Sequence, residues 1–337
     1  MIFFLFNILP GDPAKMMLGQ NQTEEQVAIV KKKYGFDKPL LTQYGYYIND
    51  LLPLSFHSTE ENDYTYLATN KYSAAKLFTI GNTTTVLKLP YLRESFQKSG
   101  KSVSQVIAET IPNTIVLAIA AISIAMLLGI IFGIISALYK DTFIDKCIQI
   151  ISTLGMSVPS FFSAILFAWI FGFLLHEFTN LNMTGSLYEV DDFGESISIR
   201  WKNLILPAIV LGIRPLAVVI QLMRNSLLEV FNQDYIRTAR AKGLSEFQII
   251  KKHAVKNALN PVITAISGWF ASMLAGAVFV EYIFGWNGLG KEIVDALNSQ
   301  DLPIIMGSVL IIASMFIIIN IFVDIIYGWL DPKIRLQ

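Results

Sequence analysis

The sequence has few charged residues and almost no cysteine. Asp, Glu, Lys and Arg make up 15% of its 337 residues, whereas soluble globular proteins contain roughly 25%. Lys plus Arg and Asp plus Glu number 26 each, so the net charge is zero and the chain lacks an overall basic field for nucleic acid. The single cysteine, Cys147, excludes a disulfide framework and a cysteine-based metal cluster within the chain. The sequence is instead 53% hydrophobic, which is typical of a membrane bundle rather than of a soluble or disordered chain.

The usual signs of catalysis are also missing from the sequence. Its three histidines, His57, His176 and His253, do not form the closely spaced pair that binds zinc. A Gly-Lys-Ser triplet at 100–102 resembles the end of a phosphate-binding loop, but Ser95 stands where that motif requires its first glycine. Nucleophile-elbow and zinc-protease motifs do not occur. We therefore expect that the chain is not an enzyme and binds no metal and no cofactor.

Five long apolar stretches predict an all-α polytopic membrane protein. A transmembrane helix needs about 20 mostly apolar residues. The predicted spans cover residues 110–139, 147–175, 204–223, 257–280 and 302–330, within a core transmembrane domain 105–337. Charged residues inside them are limited to Arg214 in the third span and Asp324 in the fifth. Gly129 and Gly133 form a pair at the spacing that favours close helix packing.

Residues 1–9 are strongly apolar but too few to cross a membrane. Nine helical residues extend about 13 Å, which is less than half of the roughly 30 Å hydrocarbon core. The segment lacks the basic start and the small-residue cleavage site of a signal peptide. We interpret it as part of a truncated first transmembrane helix, which brings the predicted number to six. A short helix lying in the membrane interface is the alternative.

The positions of Lys and Arg predict which loops face the cytoplasm. The loop 231–260, which we call the basic loop, contains six basic and two acidic residues. Lys333 and Arg335 follow the last span, and the short loop 140–146 adds two Lys. Because basic residues concentrate in short cytoplasmic loops, we expect these regions and both termini in the cytoplasm. The long segment 10–104 then lies outside.

The external segment 10–104 is predicted to begin with helices. Thr23 and Gln26 fit a capping box, and Gly35 fits the residue that follows a helix end. A second helical piece is predicted over 41–52. Residues 53–90 are polar, rich in Tyr, Thr and Asn, and show no clear period. We interpret them as an inserted surface region whose structure the pattern does not predict.

The basic loop has the signals of two short helices separated by a sharp turn. Asp234 fits an N-cap, and Gly243 fits the residue after the first helix. Ser245 and Gln248 fit the capping box of a second helix. Such a loop projects from the bilayer as a basic, partly apolar surface. Physical reasoning alone leaves two roles equally open, which are docking of a cytoplasmic protein and contact with anionic lipid.

Residues of the basic loop and its continuation resemble the ATPase-coupling signature of ABC-importer permeases. The matching residues are Arg237, Thr238, Ala239, Arg240, Ala241, Lys242, Gly243, Leu244, Ser245, His253, Asn257 and Pro261. More narrowly, they resemble the B-type subunit of the dipeptide and oligopeptide permease family. Segments 9–13, 34–40, 284–290 and 323–332 resemble that family in the same order along the chain. The chain departs from the usual pattern at Arg237-Thr238-Ala239, Gln221 and Asn287, and by the insertion 53–90.

The resemblance implies a type I ABC-importer permease fold and a place in the bacterial inner membrane. It implies a permease subunit that forms the pathway of an ATP-driven importer for dipeptides or oligopeptides. The implied partners are a second homologous permease subunit, two cytoplasmic ATP-binding subunits, an extracytoplasmic substrate-binding protein and the lipid bilayer. ATP would be used by the partner ATPases, and the basic loop would couple to them. No nucleic acid is expected as a partner.

Arg214 is the candidate residue of the transport pathway. A charge near the middle of a span costs about 2.5–3.5 kcal/mol on insertion, so Arg214 should face the bundle or a water-filled pathway. It would contact a peptide carboxylate there, or it would form an interior ion pair or hydrogen bonds to carbonyl groups. The alternative function is a stand-alone secondary transporter or channel, which would need ion-coupling carboxylates within the spans. A membrane scaffold without transport is a third reading.

Overall fold

Most of the chain is helical, and its residues group into two units. The computed structural model describes residues 3–4, 13–18, 23–61, 63–68, 71–190 and 196–330. The first unit comprises 1–109 and 293–310, and the second comprises 110–292 and 311–337, within those described ranges. The predicted truncated helix over 1–9, except for residues 3–4, and the basic tail with Lys333 and Arg335 lie outside the described residues.

Short helices open the first unit, and their ends follow the local sequence signals. They are α1 (Pro13–Leu18), α2 (Glu24–Tyr34) and α3 (Leu40–Leu51). The backbone N–H of Gln26 donates to Thr23 Oγ1 at 3.3 Å, and the N–H of Thr23 donates to Gln26 Oε1 at 3.0 Å. Gly35 ends α2 in the left-handed region, with a φ of +71°. The predicted capping box and terminal glycine are therefore confirmed.

The segment 53–90 contains an antiparallel sheet that the sequence pattern did not predict. Its strands are β1 (Leu54–Ser58), β2 (Ala74–Ile80) and β3 (Thr83–Lys88), in the order β1-β3-β2. Ser55 lies opposite Val86, and Thr79 lies opposite Thr84. The edge strand β2 is exposed along almost its whole length. Since neither of its faces is buried, β2 needs no alternation of apolar and polar residues, and the usual strand signal is missing.

A buried carboxylate organises the loop that precedes the Gly-Lys-Ser triplet. Asp301 Oδ1 accepts the N–H of Phe96 at 3.2 Å, and Oδ2 accepts the N–H of Gln97 at 3.1 Å. The hydroxyl of Ser95 also donates to Asp301. Gly100 follows in a left-handed turn with a φ of +75°. The triplet is thus part of a turn held by an acidic side chain, and an acid at that position would repel a phosphate group.

The remaining elements follow in chain order. They are α4 (Val103–Leu138), α5 (Phe143–Ser157), α6 (Ser160–Phe167), α7 (His176–Thr179), β4 (Tyr188–Val190), β5 (Ile197–Ile199), α8 (Lys202–Phe231), α9 (Asp234–Ala241), α10 (Glu246–Ile249), α11 (Val255–Gly276), α12 (Val278–Phe284), α13 (Leu289–Ser299) and α14 (Leu302–Leu330). Two π-helical stretches continue α6 and α10, over Ala168–Leu174 and Ile250–Ala254. The short strands β4 and β5 form an antiparallel pair.

The described helices provide three straight candidate spans and two bent ones. Helices α4, α8 and α14 are each long and apolar enough to cross a membrane. The predicted span 147–175 corresponds to two helices, α5 and α6 with its continuation, which meet at an angle of 108°. Proline at 159 explains the break, because it lacks an N–H and disfavours helical backbone at the preceding Val158, which is extended with a ψ of 131°. The fourth predicted span, 257–280, also runs into a bend of 58° before α12.

Two glycines allow α4 to approach α8 closely in the second unit. A Cβ atom placed on Gly129 would lie 2.5 Å from Cγ1 of Val219. One placed on Gly133 would lie 2.6 Å from Cβ of Met223. Side-chain carbons do not approach each other this closely, so only glycine fits at either position. The structure therefore confirms that this pair of small residues permits close helix packing.

The loop 284–290 is built around a fully buried tryptophan. The indole N–H of Trp286 donates to the carbonyl of Asn113 at 3.0 Å, and the amide of Asn113 donates to the carbonyl of Asn287 at 2.7 Å. The carboxylate of Glu281 accepts the N–H of Gly290 at 2.7 Å. These bonds join α12, the loop and the start of α13 to α4.

Candidate functional site

The first helix of the basic loop, α9, buries one face and exposes the other. Ile236 and Ala239 are buried, while Arg237 is exposed. The helix begins at Asp234, and its N-cap is Gln233, whose backbone is extended with a ψ of 147°. The predicted N-cap at Asp234 is therefore wrong by one residue, because Asp234 already has helical backbone. Its carboxylate lies 3.5 Å from Arg237 Nη1, within the first turn.

Gly243 forms the sharp turn between the two helices of the basic loop. Its φ is +77°, a left-handed value that side chains with a Cβ rarely adopt. Its N–H donates to the carbonyl of Arg240 at 2.9 Å, and the N–H of Leu244 donates to that of Ala239 at 3.3 Å. These bonds satisfy the last carbonyl groups of α9. The predicted glycine after the helix end is confirmed.

The second helix of the basic loop runs without interruption into the membrane. The N–H of Gln248 donates to Ser245 Oγ at 3.4 Å, and the N–H of Ser245 donates to Gln248 Oε1 at 3.2 Å, which confirms the capping box. From Glu246 the chain stays helical through the π-helical turn and α11 to Gly276. Pro261 lies inside α11. A displacement of α10 is thus carried directly into a candidate span.

A continuous apolar cluster holds both helices of the basic loop to the spans beneath them. The buried residues of this cluster are Ala137, Val219, Met223, Leu227, Val230, Ile236, Ala239, Ile249, Ala254, Ala258 and Val262. They come from α4, α8, α9 and α10 and from the helix that continues α10. Leu244, in the turn, packs against the same cluster. Since close-packed interiors transmit strain rather than absorb it, the basic loop and these spans should move together.

The outer surface of the basic loop combines exposed lysines with the exposed aromatic ring of Phe247. Arg240 Nε lies 2.9 Å from Glu246 Oε1, across the Gly243 turn. Lys242 is exposed, as are the remaining lysines of the loop, Lys251, Lys252 and Lys256. Phe247 is 71% exposed, and Lys251 Nζ lies 5.9 Å from its ring centroid. The sequence pattern did not single out Phe247, which lies inside the capping box between Glu246 and Gln248.

His253 and Asn257 lie where the second helix of the basic loop passes α9. The amide of Asn257 donates to Tyr235 Oη at 3.0 Å and to the backbone carbonyl of His253 at 3.0 Å. Asn257 therefore ties the start of α9 to α11, and His253 contributes its backbone to this contact. Thr238 and Ala241 are exposed on α9. Within the described ranges, no three His, Cys, Asp or Glu side chains are grouped as metal ligands would be.

A further feature that the sequence did not predict is the ion pair between Arg224 and Asp145. Arg224 of α8 donates from Nε and Nη2 to the two carboxylate oxygens of Asp145 on α5, at 2.8 and 2.6 Å. The hydroxyl of Ser136 on α4 and the N–H of Asp141 also donate to this carboxylate, at 2.5 and 3.0 Å. Asp145 is 3% exposed. The bidentate pair joins α5 to α8, and Ser136 adds α4. Arg224 and Asp145 are too far apart in sequence for a local pattern to reveal the pair.

Arg214 lines a small cavity between helices of the second unit. The cavity has a volume of about 90 Å³, and Ser160, Ser163, Trp269 and Ser272 contribute to its wall. Within the described residues the Arg214 side chain has no ion pair and no hydrogen bond, and it is exposed in the single chain. Two roles were predicted for Arg214, which are contact with a peptide carboxylate and an interior ion pair or hydrogen bond. The described residues provide neither an ion pair nor a hydrogen bond for its side chain.

Comparison with known sequences identifies the family of this chain. The family described as "Binding-protein-dependent transport system inner membrane component" matches residues 129–336, which include the basic loop and Arg214. The N-terminal family of the same transport systems matches residues 1–63. This chain belongs to that inner membrane component family. It is a transporter subunit and not a catalytic enzyme.

Relatives of this inner membrane component match along almost the whole chain. It is 33% identical to the dipeptide transport system permease protein DppB of Alkalihalophilus pseudofirmus, over 99% of this chain and 93% of that protein. It is 32% identical to the di/tripeptide transport system permease protein DppB of Pseudomonas aeruginosa, with the same coverage. The full-length match leaves the stand-alone secondary transporter or channel without support.

The fold of this inner membrane component also occurs in a solved ABC transporter. A chain of the MetNI methionine ABC transporter, in an inward-facing conformation, superimposes with a TM-score of 0.54 at 13% identity. The match covers 68% of this chain and 97% of that chain. The predicted ABC-importer permease fold is therefore confirmed, and the protein is a multi-pass protein of the inner membrane.

Proposed function

We propose that this chain is a transmembrane subunit of an ATP-driven importer whose substrates are dipeptides or oligopeptides. The names of its full-length relatives, a dipeptide and a di/tripeptide permease protein, support this substrate class. The observation that carries the coupling role is the continuous helix from Glu246 to Gly276, capped by the Gly243 turn. The proposed partners are a second homologous permease subunit, two cytoplasmic ATP-binding subunits and an extracytoplasmic substrate-binding protein.

The basic loop would act as a rigid connection between the ATP-binding subunits and the pathway. Gly243 sets the angle between α9 and α10, and the apolar cluster beneath them joins the loop to α4, α8 and α11. A partner subunit that grips the exposed face with Arg237, Phe247 and Lys251 would move these helices as one body. Rigid-body movement of packed helices is a common form of conformational coupling. ATP would bind and react on the partner, and this chain would hold no cofactor.

Protein docking explains the surface of the basic loop better than lipid contact. Arg237 and Arg240 are paired with Asp234 and Glu246, which reduces the charge available to anionic headgroups. A diffuse electrostatic contact with headgroups requires neither the sharply defined turn nor the exposed ring of Phe247. Docking into a protein groove uses both, because it depends on shape and on apolar anchors.

Arg214 would serve the pathway in the assembled importer. It has no partner among the described residues of this chain, and it lines a cavity together with serine side chains. A guanidinium left unpaired at membrane depth needs an anion or water to offset its cost. We assign it to contact with a peptide carboxylate during transport. The orientation with both termini in the cytoplasm and residues 10–104 outside belongs to the same proposal.

Gly243→Val tests the coupling role, with Gly100→Val as a matched control. Both glycines have left-handed backbone, with φ values of +77° and +75°, and neither has an atom within 4 Å of an added Cβ. The two substitutions therefore impose the same kind of strain, one in the basic loop and one in a turn of the first unit. We expect Gly243→Val to insert normally but to lose ATP-dependent peptide uptake about tenfold. A left-handed backbone costs a residue with a Cβ about 1–2 kcal/mol, and about 1.4 kcal/mol corresponds to a factor of ten. Gly100→Val should keep uptake.

Affinity purification of the same proteins measures which subunits bind to the chain. The unmodified chain should recover an ATP-binding subunit and a second permease, and Gly243→Val should lose the ATP-binding subunit. Normal uptake by Gly243→Val would contradict the coupling role. A chain that purifies alone and moves peptide without ATP would overturn the importer and favour the secondary transporter.

A further inference from the structure

The first unit contains a large cavity that the transport function does not account for. Its volume is about 510 Å³, which lies in the range of small-molecule binding sites. Six aromatic rings line it, from Tyr34, Phe36, Tyr64, Tyr66, Tyr91 and Phe96. They come from the end of α2, from the inserted region 53–90 and from the segment that follows it. The insertion is therefore not a simple surface loop, because it builds one wall of a cavity.

Lys71, which forms no ion pair with the described residues, lines this cavity. Lys71 Nζ lies 4.5 Å from the ring centroid of Tyr64, 4.8 Å from that of Tyr72 and 5.4 Å from that of Tyr91. Its ammonium forms no hydrogen bond with the described residues, and no described carboxylate lies within the 4 Å of an ion pair. Cation–π contacts hold the charge in place and leave its three N–H donors available for a ligand. Burial lowers the pKa of Lys71, and Asp50 offsets part of this effect.

The nearest buried acid is already occupied by other groups. Asp50 is 2% exposed. Its carboxylate accepts hydrogen bonds from Tyr72 Oη at 2.9 Å and from Arg93 Nε at 3.0 Å, with Tyr64 Oη at 3.4 Å. The guanidinium of Arg93 uses only Nε for hydrogen bonds to described residues, and it lines the cavity beside Lys71. Lys71 and the free nitrogens of Arg93 thus keep N–H groups that form no hydrogen bond with the described residues.

Carboxylates that form no hydrogen bond with the described residues also line this cavity. Glu61 and Glu94 are exposed, and their side chains form no hydrogen bond with the described residues. Asp63 also lines the cavity, and its Oδ1 accepts from Thr65. The same cavity is therefore lined by cations, by carboxylates and by aromatic rings. These groups are complementary to a molecule that carries a carboxylate, an ammonium and apolar groups.

We propose that this cavity is a binding site for a short zwitterionic peptide, held on the permease subunit itself. The peptide carboxylate would accept hydrogen bonds from Lys71 and Arg93, and its ammonium would pair with Glu61 or Glu94. Its side chains would pack on the aromatic rings. The proposal rests on the proposed function in one respect, the choice of a peptide as ligand. It requires neither the ATP-binding subunits nor Arg214.

Calorimetry with the full-length chain in lipid nanodiscs tests the proposal without transport. The probes are Gly-Phe, its C-terminal amide and its N-acetyl derivative. The test variant is Lys71→Met, which keeps an unbranched side chain of similar length and removes its charge. The matched control is Lys76→Met, because Lys76 is an exposed lysine of the same insertion that does not line the cavity. Thermal unfolding of both variants establishes that they are folded.

We expect Gly-Phe to bind to the unmodified chain and to Lys76→Met with equal affinity. Lys71→Met should weaken binding tenfold or more, the size expected from one lost hydrogen bond to a charged group. The C-terminal amide should bind to the unmodified chain as weakly as Gly-Phe binds to Lys71→Met. Lys71→Met should not weaken the binding of the amide any further. If the ammonium pairs with Glu94, Glu94→Gln should weaken the binding of Gly-Phe and leave the binding of the N-acetyl derivative unchanged. If the ammonium pairs with Glu61, Glu61→Gln should have this effect instead.

Three outcomes would overturn the peptide site. They are an absence of Gly-Phe binding, equal binding of Gly-Phe and its amide, and unchanged binding to a folded Lys71→Met chain. The last would mean that the peptide binds elsewhere, for example in the pathway. ATP-dependent Gly-Phe uptake by the assembled importer, measured separately, distinguishes the two proposals. Loss of uptake with intact binding would count against the proposed function alone.

Discussion

At the scale of single residues, Gly243 shows how one backbone angle sets a functional geometry. No atom lies within 4 Å of a Cβ built on it, so space does not require glycine there. Its φ of +77° does, because a left-handed backbone costs a residue with a Cβ about 1–2 kcal/mol. This cost is too small to unfold the chain but large enough to change the angle between α9 and α10. The effect of a substitution should therefore be on coupling rather than on insertion.

The ion pair between Arg224 and Asp145 predicts a large stability effect. Arg224→Met removes the bidentate partner of a carboxylate that is 3% exposed. An uncompensated buried charge of this kind costs about 3–5 kcal/mol. We expect a clear fall in the thermal unfolding midpoint of the purified chain, followed by tryptophan fluorescence. Arg200→Met, which removes an exposed partner of Glu189, is the control and should change the midpoint little.

The double variant separates the pair from the fold around it. Asp145→Leu combined with Arg224→Met removes both charges, so no unpaired group remains. Its midpoint should recover most of the loss seen in Arg224→Met. A double variant that is less stable than either single one would show that Ser136 and the N–H of Asp141 depend on the carboxylate more than Arg224 does.

His57 predicts a pH dependence in the first unit. It is fully buried, with Nδ1 3.0 Å from the Thr65 carbonyl and Nε2 3.0 Å from Ser55 Oγ. Burial lowers the pKa of His57 below its ordinary 6.5, and the bond to Thr65 offsets only part of this. The unfolded chain therefore binds a proton at pH values where the folded one does not. Stability is fully present above pH 6.5 and is lost as the pH falls toward the folded pKa.

Hydrogen exchange of β1 and β3, corrected for intrinsic rates, measures this dependence. Protection should fall as the pH drops below about 6.5 in the unmodified chain. The fall should be smaller in His57→Gln, which keeps polar groups but cannot take up a proton in this range. The control, His176→Gln, changes an exposed histidine of the second unit and should behave as the unmodified chain. An equal fall in His57→Gln would assign the effect to other groups.

At the scale of elements, the contact between α4 and α8 depends on the absence of side chains. A Cβ on Gly133 would lie 2.6 Å from Cβ of Met223 and 3.0 Å from the carbonyl oxygen of Ile220. Neither neighbour is the free end of a flexible side chain, so the helices themselves would have to separate. Gly133→Leu should therefore lower the thermal unfolding midpoint, since overpacking costs about 1–3 kcal/mol or more.

Gly268→Leu is the matched control for this contact. Gly268 lies in α11, and no atom lies within 4 Å of a Cβ built there. The same substitution in open space should leave the midpoint of the purified chain unchanged. Equal destabilisation by both variants would mean that the helical glycines matter for another reason than close approach.

Elements were predicted from sequence where their signals are local. The capping boxes at Thr23 and Ser245 and the glycines at 35 and 243 each involve residues within four positions of one another, and all are confirmed. The strands of 53–90 were not predicted, because β2 is exposed on both sides and has no alternating pattern. The bend near Val158 has a local cause, the following proline, but its size of 108° depends on packing.

At the scale of the whole molecule, the distribution of Lys and Arg predicts the orientation in the membrane. The test uses the single native cysteine, which is half-buried and is first replaced by Cys147→Ala. Thr59→Cys in the first unit and Lys242→Cys in the basic loop then each provide one exposed thiol. In right-side-out spheroplasts, a membrane-impermeant maleimide should label the thiol at 59 at once and the thiol at 242 only after permeabilisation. The reverse pattern would invert the proposed orientation.

Sequence by itself determined the class, the family and the position of the basic loop. Apolar runs, helix caps, left-handed glycines and the coupling signature are all read within short windows of chain. Tertiary structure alone decided that Arg224 pairs with a carboxylate 79 residues away, and that Arg214 has no partner among the described residues. It also decided that Lys71 lies among three tyrosine rings. These features depend on which distant residues the fold brings together. Sequence periodicity and local propensity do not predict such contacts.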